Sequence, residues 1–196
     1  EYIWKSDRQF SFQPGQYLEW TLPTAKTDNR GNRRFFTIAS SPTEKEVRLG
    51  VKFYDQQSTF KKGLSNFNVG DTLVASQLSG DFVMPEDRGI KLAFIAGGIG
   101  VTPFRSMVKF LIDNNEKRDI TLFYSNKGER EIAYRDLFDE ADSKIGLKTV
   151  YTLVNDIRQD WVGERGYINE AMIRKHTPDF MERTFYISGP EAMVSA

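Results

Sequence analysis

Leu92-Ala93-Phe94-Ile95-Ala96-Gly97-Gly98-Ile99-Gly100-Val101-Thr102-Pro103 decides how this chain is read. Five apolar residues in a row fit a strand buried on both faces. The glycines remove Cβ atoms where a backbone must approach a phosphate closely. Thr102 is a natural helix N-cap, and Pro103 at the first helical position gives up no needed N–H. A helix that begins there points free N–H groups and a partial positive charge back at the turn, which favours an anion. The string differs from the Gly-x-Gly-x-x-Gly dinucleotide turn, because Pro103 stands where a glycine or alanine would close that pattern.

Downstream of this stretch the period of the sequence alternates. Strands are predicted over 91–96, 120–124, 147–153 and 184–188, and helices over 103–114, 134–141 and 169–175. Strand and helix in turn imply a doubly wound parallel sheet. Upstream the chain is written in short runs of β-branched and aromatic residues, over 1–4, 10–12, 17–22, 34–40, 47–54 and 72–77, separated by turn residues such as Pro14-Gly15. Only 58–66 reads as a short helix there. The expected architecture is an antiparallel β-barrel over 1–87 followed by an α/β unit over 88–196.

The bulk composition excludes several classes. Lys plus Arg and Asp plus Glu number 27 each, so no net field favours nucleic acid or an anionic membrane. There is no cysteine, hence no disulfide, thiolate zinc site or ordinary iron–sulfur cluster in these residues. His176 is the single histidine, no metal-ligand spacing stands out, and the expected metal content is none. The longest uncharged run, 92–104, falls short of the roughly 18 apolar residues of a spanning helix. The first residue is not Met, and the barrel pattern lacks a first strand. The last motif should lead into a further helix, so the chain reads as part of something longer.

A second chemical signal precedes the glycine turn by some sixty residues: Arg34-Phe35-Phe36-Thr37. In a strand, Arg34 and Phe36 face one side and Phe35 and Thr37 the other. A guanidinium can grip a phosphate, an aromatic ring can stack on another flat ring, and a hydroxyl can approach a ring nitrogen. An amphipathic strand with Arg outside and Phe inside would look the same locally. Ser58 and Thr59 are good N-caps for the short helix, with Lys61 and Lys62 read as solvated.

Residues 34–42 resemble the Arg-x-Tyr-Ser flavin motif of the ferredoxin–NADP reductase superfamily, with Phe36 in place of Tyr and Thr37 in place of Ser. Phe12-Gln13-Pro14-Gly15-Gln16-Tyr17 is similar to the Phe-x-Pro-Gly-Gln strand turn of that superfamily, and residues 57–64 to its second phosphate-binding segment. Gly97 to Pro103 looks like its NAD(P) turn, and 122–126 with 131–135 like its ribose-holding strand and loop. Residues 185–193 resemble the closing aromatic-x-x-Cys-Gly-Pro-x-x-Met motif, with Ser188 in place of Cys. All stand in order between Phe10 and Met193.

The resemblance implies FAD, rather than FMN, in the barrel, with NAD(P)H as co-substrate. By it, Arg34 would hold the flavin phosphate, Phe35 and Phe36 would lie by the ring system, and Ser58 and Thr59 would serve a second phosphate contact. Gly97, Gly98, Gly100, Thr102 and Pro103 would hold the nicotinamide nucleotide, Ser125 its ribose, and Gly189, Pro190 and Met193 its nicotinamide end. Thr37, near the flavin N5, and Ser188, near the nicotinamide, would be the catalytic groups. Ser125, Lys127 and Arg130 leave NADH and NADPH equally open.

The implied function is electron transfer from NAD(P)H through flavin to a protein or small-molecule acceptor, in the cytoplasm or on the cytoplasmic face of a membrane. The alternatives are the flavin domain of a protein anchored to the membrane outside these residues, and a non-catalytic electron-transfer subunit. His176 is expected to end a surface helix, and Trp161 to Gly166 to form a structural loop flanking the cleft.

Overall fold

The computed structural model describes residues 1–8, 10–24, 27–155 and 157–195. Its N-terminal part holds the strands β1 (Tyr2–Lys5), β2 (Tyr17–Thr21), β3 (Arg33–Thr37), β4 (Glu46–Leu49) and β5 (Val74–Ser79), with one short helix, α1 (Thr59–Ser65). β1 pairs antiparallel with β4, and β2 lies antiparallel between β3 and β5. Alternate residues turn Leu18, Trp20, Ile38, Val47 and Leu49 inward onto Phe60 and Leu64 of α1. Between β1 and β5 the wall stays open over a cavity of about 650 Å³ that Trp4, Trp20 and Leu73 help to line.

Three expected strands differ, and the one over 34–40 ends at Thr37. Phe10 and Phe12 stack on each other with centroids 5.5 Å apart, but residues 10–12 join no ladder before the turn at Gly15, whose φ is +102°. The strand expected over 47–54 stops at Leu49. A Cβ on Gly50 would stand 2.5 Å from Thr102 Cγ2, so the chain leaves the sheet where it meets the C-terminal part.

That part is built on a parallel sheet in the order β10-β6-β7-β8-β9, from β6 (Leu92–Gly97), β7 (Ile120–Asn126), β8 (Lys148–Leu153), β9 (Glu164–Arg165) and β10 (Thr184–Ser188). β6 and β7 are buried at every residue, as strands covered on both faces must be. α2 (Thr102–Asp113) and α3 (Arg135–Ile145) cover the face that carries Phe94, Leu122 and Tyr124. α4 (Glu170–His176) covers the other through Met172 on Ile95, Phe123 and Val150. A last turn, α5 (Glu191–Val194), follows β10.

Only Lys109, Phe110 and Asp113 of the twelve residues of α2 escape burial, because this helix is enclosed by the sheet on one side and the N-terminal part on the other. The segment ahead of β6 straps the two parts together. Phe82 meets Phe104 and Tyr186, and the Tyr186 hydroxyl donates to Val83 O at 2.8 Å. Among the described residues no helix is long and apolar enough to cross a membrane, and no cluster of His, Cys, Asp or Glu could hold a metal.

Candidate functional site

The chain steps from β6 through β7 and β8 to β9 in one direction and then returns to lay β10 on the other side of β6, so a crevice opens at the C-terminal ends of β6 and β10. In open α/β sheets ligands bind at such a reversal of strand order. Here the crevice receives Gly97 to Gly100 from β6 and Ser188 to Pro190 from β10. The glycines do different work. A Cβ on Gly97 would lie 2.7 Å from Pro190 Cδ, and one on Gly100 2.6 Å from Ser188 O, so both let the two strand ends touch. Gly98 alone opens to the crevice: its φ is +51° and a Cβ there would meet nothing within 4 Å.

The start of the helix departs from expectation. Residues 98–101 already form a 3-10 turn, so Thr102 is the first residue of α2 and its side chain caps nothing. Pro103 is buried in the first turn, where it leaves no N–H unpaired.

On the opposite wall Phe35, Phe36 and Thr37 of β3 border the same cleft. Phe35 is exposed and edge-on to Tyr17; Phe36 leans on Phe60 with centroids 5.7 Å apart. Arg34 is buried on the same side of β3 as Phe36, against the simple amphipathic pattern with Arg outward. It is only 8% exposed, and both terminal nitrogens of its guanidinium are engaged. Nη1 donates to the carbonyls of Arg30, Gly31 and Arg33, and Nη2 to both carboxylate oxygens of Asp28 at 3.0 and 3.2 Å.

Asp28 also accepts from Thr59 N at the start of α1, and its own N–H donates to Thr59 Oγ1. Ser58 Oγ caps the same helix by accepting from Lys61 N. Thus Arg34 and Thr59 converge on an anion, and the chain supplies that anion itself. Arg34, Ser58, Thr59 and Pro103 do not border the cleft, whereas the other predicted site residues do.

Desolvation would raise the Asp28 carboxyl, but hydrogen bonds from Arg30 N, Thr59 and Arg34 outweigh it and hold the group at about 2. A depressed carboxylate contributes stability above its unfolded value near 4 that disappears as pH falls through about 2. Thermal midpoints of the wild type and Asp28→Asn should therefore differ at pH 6, with the wild type higher. They should converge toward pH 2; a gap independent of pH would contradict the carboxylate's role.

The cleft encloses about 940 Å³, and several of its residues take no role of their own from the sequence motifs. Asn126, at the end of β7, is 4% exposed, and neither polar atom of its amide has a partner of hydrogen-bond geometry. A buried amide left so is costly unless something polar meets it. Lys61 is half-buried rather than solvated: its Nζ donates to Lys52 O at 2.6 Å, 5.0 Å from the centre of the Tyr54 ring, and burial pulls its pKa down. Lys52 in turn crosses the cleft to Glu131 at 2.7 Å, whose carboxyl this hydrogen bond lowers.

The loop that carries Glu131 is pinned by the buried Tyr124 hydroxyl, which accepts from Ala133 N and is pushed up to about 12 by desolvation. It is thus a neutral phenol at physiological pH. An opening of this size with an open glycine, a buried amide beside the Tyr124 hydroxyl and cations on one wall suits a nucleotide.

Residues 161–166 lie elsewhere, a correction to the flanking-loop expectation. β9 extends the sheet beyond β8, and the Trp161 ring meets the Arg135 guanidinium at 5.6 Å in a separate groove. His176 ends α4 as expected, with Nε2 2.7 Å from Glu164 Oε1.

Comparison with known proteins places this geometry. The chain is 29% identical over 191 residues to the glycine betaine monooxygenase reductase subunit of Chromohalobacter salexigens, covering 95% of this chain and 51% of that one. It is 31% identical over 185 residues to a flavohemoprotein of Candida albicans, covering 90% and 44%. The chain thus spans about half the length of these curated relatives. Among solved structures the Amycolatopsis cytochrome P450 reductase GcoB superposes with a TM-score of 0.84 at 22% identity, over 98% of this chain and 57% of that one, which shows a shared fold. Residues 94–196, more than half of the chain, match the family described as the oxidoreductase NAD-binding domain. The chain belongs to this oxidoreductase NAD-binding domain family, with an antiparallel unit ahead of the match.

Proposed function

We propose that this chain takes electrons from NAD(P)H through FAD and passes them to a protein or small-molecule acceptor. The observation that carries the reading is the shared cleft: Phe35 to Thr37 of β3 face Gly97 to Gly100 and Ser188 to Pro190 at the sheet's reversal point. When bound, a flavin supplies a two-electron centre that accepts hydride from reduced nicotinamide and releases electrons onward. The chain's own part is positioning.

In this reading Phe35 and Phe36 wall the ring system, Thr37 offers its hydroxyl at the ring's edge, a flavin phosphate takes the place of the Asp28 carboxylate at Arg34 and Thr59, and Tyr54 with Lys52 and Lys61 forms a wall for the adenine end of FAD. That wall favours FAD over FMN. Gly98 admits the nicotinamide nucleotide's pyrophosphate, Ser125 and Asn126 meet its ribose side, and Ser188 lies at the nicotinamide. We place the unit boundary between residues 87 and 88, with 82–85 as the strap across it. The acceptor is inferred to be a partner protein of oxygenase type, as the names of the reductase-subunit relatives suggest. The cytoplasm, or the cytoplasmic face of a membrane, is the inferred place of action.

The purified chain loaded with FAD should reduce ferricyanide with NADH or NADPH, and comparing the two settles the nucleotide. Absence of NAD(P)H oxidation by flavin-loaded protein would sink the reading. Asn126→Leu should weaken NAD(P)+ binding by roughly tenfold, the scale of one or two lost hydrogen bonds, and leave the flavin spectrum intact. An unchanged dissociation constant would remove Asn126 from the site.

A further inference from the structure

We propose that Arg105 is a positioning residue for the hydride step, fixing how far the nucleotide turn stands from the flavin strand; this rests on the reductase reading above. Arg105 lies one turn into α2, directly after the glycine turn, and its side chain is 8% exposed. Its Nη1 donates to Ala39 O at 2.9 Å and to Glu44 Oε2, and its Nη2 donates to Glu44 Oε1 at 2.9 Å. The next residue repeats the attachment, with Ser106 Oγ donating to Ser40 O at 2.6 Å, fully buried.

Ala39 and Ser40 follow Thr37 on the same run of chain, so the attachment lies only about 7 Å of extended backbone from the hydroxyl assigned to the flavin. The helix that begins at one half-site is therefore bolted to the strand that carries the other.

The surroundings admit little slip. Gly50 touches Thr102 so closely that a Cβ would not fit. Arg48 braces Glu44 at 3.1 Å, and the Arg105 guanidinium lies 5.7 Å from the centre of the Tyr134 ring. Tyr134 is itself held at a left-handed φ of +60°. Hydrogen bonds from Arg105 and Ser41 overcome the desolvation of Glu44 and keep its carboxyl below the usual range, so Glu44 meets the guanidinium as a carboxylate at neutral pH. A planar guanidinium that engages both oxygens of one carboxylate and a carbonyl fixes orientation as well as distance, which a lysine cannot do.

The test uses flavin-loaded wild type, Arg105→Ala, Arg105→Lys and the neutral pair Arg105→Met with Glu44→Gln, which leaves no lone buried charge. We expect the limiting rate of flavin reduction by saturating NAD(P)H to fall roughly tenfold to a hundredfold in Arg105→Ala, the scale of a misplacement near 1 Å. Flavin content and the NAD(P)+ dissociation constant should stay within about twofold, and Arg105→Lys should recover part of the rate. Without cofactors, amide exchange at residues 39–44 should quicken in Arg105→Ala.

If Arg105→Ala does not fold, the neutral pair is expected to show the same slow reduction. Wild-type reduction with normal rates in the folded variants overturns the positioning role alone. A fall in rate matched by equal loss of flavin or nucleotide overturns it as well, because that is a structural effect. No reduction in the wild type overturns both this inference and the reading beneath it.

Discussion

Arg34→Ala is expected to purify without bound flavin and with a thermal midpoint lower by roughly 4–8 °C, the shift that about 2 kcal/mol produces in a chain of this size. The loss of stability follows from the contacts. Three backbone carbonyls, of Arg30, Gly31 and Arg33, lose their donor together. Each such group left unsatisfied away from water costs roughly 1–3 kcal/mol before relaxation and water entry reduce the sum.

The loss of flavin follows only if the guanidinium serves a phosphate, and here Asp28 is informative. Its carboxylate stands between Arg34 and Thr59 as an anion of the chain's own. Asp28→Asn keeps the size of the side chain but turns one of its two acceptor oxygens into a donor and removes the competing charge, which frees Arg34 for a phosphate, so it should retain flavin and bind it more tightly. If both variants lose flavin alike, as read by visible absorption of the purified proteins, Arg34 merely pins the loop and the phosphate assignment fails.

Gly100→Val is expected to destroy both cofactor sites, whereas Gly98→Val should damage one. A Cβ at Gly100 would stand 2.6 Å from Ser188 O and 2.7 Å from the Gly189 backbone, and neither wall is a flexible side chain. Overpacking against backbone costs about 3 kcal/mol or more, so insoluble protein or joint loss of flavin and nucleotide binding is the expected readout. At Gly98 no atom lies within 4 Å, and the penalty is the left-handed backbone, about 1–2 kcal/mol for a residue with a Cβ. The new side chain would stand in the cleft. Nucleotide binding should weaken by about tenfold or more, while the flavin spectrum persists. A normal NAD(P)+ dissociation constant for Gly98→Val would show that the pyrophosphate does not approach this backbone.

Much of the α/β unit was legible because its signals are local. The apolar run of β6, the glycine turn and Pro103 are consecutive in the chain, and strand–helix alternation needs no knowledge of partners. The antiparallel part was less so. Residues 10–12 have strand composition, yet no neighbouring strand pairs with them, and 50–54 leave the sheet because α2 stands in the way. The N-cap role of Thr102 failed for a related reason: the turn tightens into 3-10 geometry before α2, so helical backbone begins earlier than the composition suggests.

Within the site, the sequence by itself determined which chemical groups the chain brings: the aromatic and hydroxyl residues of β3, the glycine turn, and the Ser188-Gly189-Pro190 close. Each is a short string whose conformation depends on its own residues. Tertiary structure alone decided what those groups face. Asp28 reaches Thr59 across 31 residues, and Arg105 reaches Glu44 across 61. Packing alone decides that the Asn126 amide is removed from water at the end of β7. Ion pairing and desolvation depend on distances through space, which chain order does not specify. The glycine turn could therefore be read as a tight strand-to-helix turn from its letters, but its placement opposite Phe35 to Thr37 could be read only from the fold.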